Sequence, residues 1–175
     1  MKSKLKVIRL LGLFAIALFA FVRLGVSRGE VLPDSLAAAI ITKVLAFETS
    51  EGRSEAVRIH VMDQESLAKQ FLTKKGMMIG NRRVESVTWG EGIPRGGVDV
   101  IVASNEKSVL AAIEYARKNR AITVSNNPEM APLGVSLIVY NDEGMPGILL
   151  SRRAAQREGL YWEPQILEIA EIIEN

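Results

Sequence analysis

The residues best placed to do chemistry are few: Asp63, Ser104, Asn126, Asn127, Trp89 and one histidine, His60. Asp63, Trp89-Gly90, Ser104-Asn105 and Ser125-Asn126-Asn127 each close a short apolar run that reads as a strand. Ligands of parallel sheets bind beyond the carboxyl ends of the strands, so this polar rim is a candidate binding site. The same residue types also cap helices and make turns. "SNEK" (Ser104–Lys107) carries the Ser-x-x-Lys spacing of serine acyl-enzymes, and "SNN" (Ser125–Asn127) imitates their second motif. The spacing recurs at Ser3–Lys6 and Ser66–Lys69 and no Lys-Thr-Gly follows, which speaks against acyl transfer. His60 has no second histidine for a metal and no placed triad partners, and it is expected as a strand residue. Trp89 and Trp162 fit the core first, and interface anchors second.

"GEGIPRGG" (Gly90–Gly97) has the look of a dinucleotide loop. Its third glycine comes one residue late, and a strand follows where a phosphate-binding helix would start. Without that helix N-terminus there is no dipole to hold a pyrophosphate. No P-loop, His-Glu-x-x-His or calcium-loop spacing occurs, so no catalytic residue, metal or cofactor is expected.

The elements that must position the rim follow from apolar spacing. "DSLAAAIITKVLAFE" has Leu36, Ile40, Val44 and Phe47 at helical intervals, with Asp34 or Ser35 as cap. "VRIHVM" (Val57–Met62) alternates as a strand, and Asp63 then caps a helix running to Gly76. "RRVESVTW" is a second strand. "VDVIVAS" (Val98–Ser104) is continuous and β-branched, as strands covered on both faces are. A helix with Val109, Ile113 and Ala116 on one face leads to "AITVS", a fourth strand. Val135–Ser151 reads as a hairpin turning at Asn141–Gly144, and "RRAAQREGL" as a short helix stopped by Gly159. A last helix from Pro164 would bury Ile166, Ile169, Ala170 and Ile173. The expectation is a single α/β domain: a mainly parallel twisted sheet flanked by helices, with an antiparallel edge hairpin near the C-terminus.

The start of the chain sets the compartment. An apolar run, Leu10–Val22, follows Lys2, Lys4, Lys6 and Arg9, and no acid precedes Glu30. As a helix this run reaches about 20 Å, against a hydrocarbon core of about 30 Å. Residues 1–28 are therefore expected to be a secretory signal peptide, or an uncleaved anchor, and 29–175 the working domain. Six of the 22 basic residues lie in 1–28, which leaves 16 against 20 acidic residues, a net of −4. That balance does not suit nucleic acid. Cysteine is absent, which excludes disulfides and a lipidated cysteine.

The order of these pieces resembles the YfiR-like periplasmic proteins over about residues 33–173. The resemblance runs through "SLAAAIITKVLAFE", "VRIHVMD" and "VDVIVAS", and is most specific in "ITVSNNPEMAPLGVSLIVYNDEGMPGILLSRRAAQREGLYWEPQILEIAEII". Asn126, Gly134, Ala155, Gly159, Leu160, Gln165, Leu167 and Ala170 are the positions that align. The family's aromatic "FxxWP"-like corner is here "AFETSEG", keeping only Phe47. The resemblance implies a soluble, non-catalytic periplasmic α/β protein, often a homodimer. The best-known member restrains a membrane-bound diguanylate cyclase by binding its periplasmic part. The implied partner is thus an inner-membrane signalling protein; a small-ligand module using the rim is the alternative.

Overall fold

The computed structural model describes residues 29–175, so the expected signal segment lies outside the described residues. Eight strands form one sheet. They are β1 (Ala56–Met62), β2 (Met78–Ile79), β3 (Arg82–Gly90), β4 (Val100–Val102), β5 (Ile122–Ser125), β6 (Leu137–Asp142), β7 (Met145–Ser151) and β8 (Glu171–Ile173). Their order is β2-β3-β1-β4-β5-β6-β7-β8. Strands β3, β1, β4, β5 and β6 run parallel, β2 pairs antiparallel with β3 and β7 with β6, and β8 runs parallel to β7. The helices are α1 (Asp34–Val44), α2 (Glu65–Leu72), α3 (Glu106–Asn119), α4 (Arg152–Glu158) and α5 (Pro164–Leu167), with 3-10 turns at Leu45–Phe47 and Pro128–Leu133.

Helices α1 and α2 cover one face of the sheet. Ala37, Ala38, Ile41, Leu67 and Phe71 pack there on Ile59, Val61, Val100, Val102, Ile122 and Leu137. Helix α3 covers the other face through Val109, Ala112, Ile113 and Ala116 against Ile101, Ala103 and Ile138. A strand covered on both sides has no polar face, and all three residues of β4 are buried.

Four local expectations need correction. The buried face of α1 is Ala37, Ala38, Ile41 and Val44, while Leu36 is 39% exposed; the small alanines let the helix lie close on the sheet. Pro33, not Asp34 or Ser35, holds the N-cap position of α1, without a side-chain cap bond. The helix after β1 stops at Leu72, and a turn carries the chain to Gly76 at φ 84°. The C-terminal helix lasts only four residues, after which Glu171–Ile173 pair with Leu149–Ser151 as β8. Pairing of β-branched Ile172 and Ile173 along β7 satisfies backbone groups that a frayed helix end would leave to water.

The hairpin forms as expected, and β8 lies outside it. Asp142 pairs with Met145, so Glu143 and Gly144 are a two-residue turn, both with positive φ. Gly147 lies opposite Tyr140, whose ring covers it so closely that a Cβ would sit 2.4 Å from the ring carbon.

Candidate functional site

After β1 the chain crosses to α2 on one face, and after β4 it crosses to α3 on the other. Neighbouring strands whose connections diverge leave a crevice at their carboxyl ends, the usual ligand position in open α/β sheets. Four of the expected rim residues, Asp63, Ser104, Asn126 and Asn127, meet there. Asp63 stands just past β1 with φ 58°, its amide donating to the Gly90 carbonyl at 3.2 Å. It does not cap α2, whose N-cap is Gln64 without a side-chain bond. Instead its Oδ2 accepts from Asn105 Nδ2 at 3.1 Å and from the Ser108 hydroxyl, tying β1 to the start of α3.

Asn126 is buried, and its Oδ1 accepts from the Ser104 hydroxyl and from Gln64 Nε2 at 3.1 Å. Asn127 Nδ2 donates to the Ser104 carbonyl at 3.0 Å, and its Oδ1 accepts from the Glu129 amide at 3.0 Å, capping the 3-10 turn. Asn105 caps α3 by accepting from the Ser108 amide at 3.0 Å. The rim thus carries two hydrogen-bonded groups, Asp63–Asn105–Ser108 and Gln64–Asn126–Ser104–Asn127, across the ends of β1, β4 and β5. The Ser104 hydroxyl is engaged with an amide rather than with a base.

Trp89 is the next-to-last residue of β3, opposite Val61, and it is not a core residue: it is 48% exposed, with Ile93 in the following loop 41% exposed. Trp162, by contrast, packs half-buried against the core on the α1 side. His60 lies inside β1 as expected. Its Nδ1 shares a hydrogen bond with Thr88 Oγ1 at 2.8 Å and its Nε2 one with the Gly92 carbonyl at 2.9 Å. Burial pushes its pKa down, with the Gly92 carbonyl and Asp63 pulling the other way. The "GEGIPRGG" loop wraps over this histidine and leads into β4 rather than into a helix.

Two buried polar clusters escaped the sequence. Glu158 of α4 accepts from the Thr123 amide at 3.1 Å, the Thr123 hydroxyl at 2.6 Å and the Ser136 hydroxyl. Glu48 and Asp99, both buried, bracket Arg82: Arg82 Nη1 lies 3.1 Å from Glu48 and Nη2 3.7 Å from Asp99. Asp99 also holds Arg58, Nε to Oδ2 at 3.0 Å. These partners lie tens of residues apart, so no local pattern marks them. Asn105, in contrast, is signalled by its place before the "EKSVL" helix.

Among the described residues, no three His, Asp or Glu side chains are grouped to hold a metal ion, and no helix is long and apolar enough to cross a membrane.

Fold and rim together define an α/β protein covered on both faces, with a polar lattice at its topological switch point. A family model, YfiR/HmsC-like, matches residues 34–171, and the chain belongs to that family. The family is known for periplasmic regulators of signalling. Among solved structures, the chain is similar to a conserved domain protein from Vibrio cholerae O1 biovar eltor, with 13% identity and a TM-score of 0.52. That match covers 82% of this chain and 60% of the other, so the chain spans about three fifths of that structure. At this identity the likeness concerns the fold. No curated protein matches the chain.

Proposed function

We propose that this protein is a non-catalytic periplasmic regulator, exported by its N-terminal segment, that binds and restrains the periplasmic part of an inner-membrane signalling protein such as a diguanylate cyclase. The observation that carries this reading is the family match over residues 34–171. The rim agrees with it, because Asp63, Ser104, Asn126 and Asn127 each hold hydrogen bonds within the protein. Beside it, Trp89 and Ile93 expose apolar area, and a large aromatic side chain is the commonest energetic anchor of a protein interface. Restraint of this kind is a population shift: the regulator prefers the partner's inactive state and holds it there.

The test is titration with the purified periplasmic part of a membrane-bound diguanylate cyclase from the same cell. Binding that weakens at least tenfold in Trp89→Ala, with the fold intact, is the expected result. Unchanged binding in that variant would remove Trp89 and its surroundings from the interface.

One observation favours the second reading, a small-ligand module at the rim. Gln64 Oε1 is buried beside Asn126 without a hydrogen-bond partner. A ligand offering a donor there would raise the melting temperature by mass action, and a metabolite screen by thermal shift checks it.

A further inference from the structure

A second candidate site lies away from the rim, where the segment after the first 3-10 turn folds under the β2–β3 turn. A cavity of about 400 Å³ opens there, lined among others by Glu48, Ser50, Arg53, Asn81, Arg82 and Glu163. The Arg53 side chain is only 10% exposed. Its Nε and Nη2 are buried without a hydrogen-bond acceptor. Those two atoms form the side-on edge of a guanidinium, the edge that takes a carboxylate through two parallel bonds.

The neighbouring acids do not complete Arg53. Its nearest carboxylate contact is Glu48, Nε to Oε1 at 3.4 Å. Both Glu48 oxygens are already committed, Oε1 to the Ser50 amide at 2.9 Å and Oε2 to Arg82 Nη1 at 3.1 Å. Asp99 is committed to Arg58 through Nε and Nη2 and to the Arg58 amide. Arg53, Arg58 and Arg82 thus share the ion pairs of Glu48 and Asp99, and Arg53, with the single 3.4 Å contact, is the one whose Nε and Nη2 lack a hydrogen bond. Glu163 and the exposed Glu55 also line the cavity, and neither is paired with Arg53. They disfavour an anion of higher charge.

We infer that this cavity binds a small monocarboxylate, its two oxygens taking the Arg53 guanidinium and displacing the long contact to Glu48. A single carboxylate answers the unpartnered edge of Arg53, whereas a dianion would meet stronger repulsion from Glu55 and Glu163 at the wall. The volume suits a small molecule. The inference stands independently of the regulatory reading and of the rim.

The experiment is a titration of the full-length chain with sodium acetate, followed through the Arg53 Nε–H resonance and the melting temperature. Sodium chloride at matched ionic strength and inorganic phosphate at about pH 8, where it is mostly dianionic, are the comparisons. Acetate should shift the resonance saturably and raise the melting temperature. Phosphate should bind at least tenfold more weakly, and chloride should not reproduce the effect. Arg53→Gln should weaken acetate at least tenfold, and Arg53→Lys, which keeps the charge but loses the fork, should weaken it several-fold. An acetate response no larger than that of chloride overturns the inference, as does one that persists in Arg53→Gln. Phosphate binding as tight as acetate overturns the assignment to a monocarboxylate.

Discussion

Replacing Glu158 by glutamine should remove a pH dependence that this one side chain builds into the fold. Glu158 is 1% exposed and sits near the amino ends of β5 and β6. Burial pushes its carboxyl up from 4.5 to about 7, although the Ser136 and Thr123 hydrogen bonds and Arg117 pull it down. The unfolded carboxyl therefore releases its proton near 4.5 and the folded one near 7. Between those values only the folded state holds the proton. The stability it contributes is complete below the lower value, and it is lost as pH rises through the upper one. The gap corresponds to about 3 kcal/mol. Glu158→Gln keeps the shape and an oxygen acceptor for the Thr123 amide, but it cannot ionise. Urea unfolding of both proteins across this pH range reads the difference directly. The variant should lie within about 1 kcal/mol of the parent at the acid end. It should become the more stable of the two by up to about 3 kcal/mol at the alkaline end. A difference that stays constant across the range, or that favours the parent as pH rises, would rule out Glu158 as the source of the pH dependence.

Arg82→Met should destabilise the fold by about 3–5 kcal/mol, because it leaves Glu48 and Asp99 buried against fewer cations; chemical denaturation measures it. Asn126→Ala should cost about 1–3 kcal/mol, since Ser104 and Gln64 both lose their acceptor, and amide exchange should quicken around Ser104 and Asn127. Trp89→Ala should change stability by no more than about 0.5 kcal/mol, its exposed side chain lying outside the core, as thermal denaturation will show.

How much of this was visible beforehand depends on the range of the interactions involved. The parallel centre was legible because β-branched runs such as Val100–Val102 carry their two-sided burial in composition. The hairpin was legible from Asn141–Gly144, whose residue types suit a two-residue turn. The last segment was not: Ile166, Ile169, Ala170 and Ile173 suit a helical stripe, and only the free side of β7 draws Glu171–Ile173 into a strand. β2 is two residues long and depends wholly on β3. The rim was foreseeable as a place, since strand ends gather by topology, and Asp63, Ser104, Asn126 and Asn127 do meet. Its bonding was not foreseeable, because the turn at Asp63 aims the carboxylate at α3 rather than at α2. Glu158 and Arg82 read locally as surface charges; their partners at Thr123, Ser136, Glu48 and Asp99 come from distant elements.

Restraint of a membrane cyclase by binding is read out by the cyclic di-GMP content of cells that produce such a cyclase. Supplying the full-length chain should lower the nucleotide several-fold, and the Trp89→Ala chain, exported to the same level, should fail to do so. Nucleotide levels indifferent to the presence of the chain would exclude restraint of the cyclase by this protein.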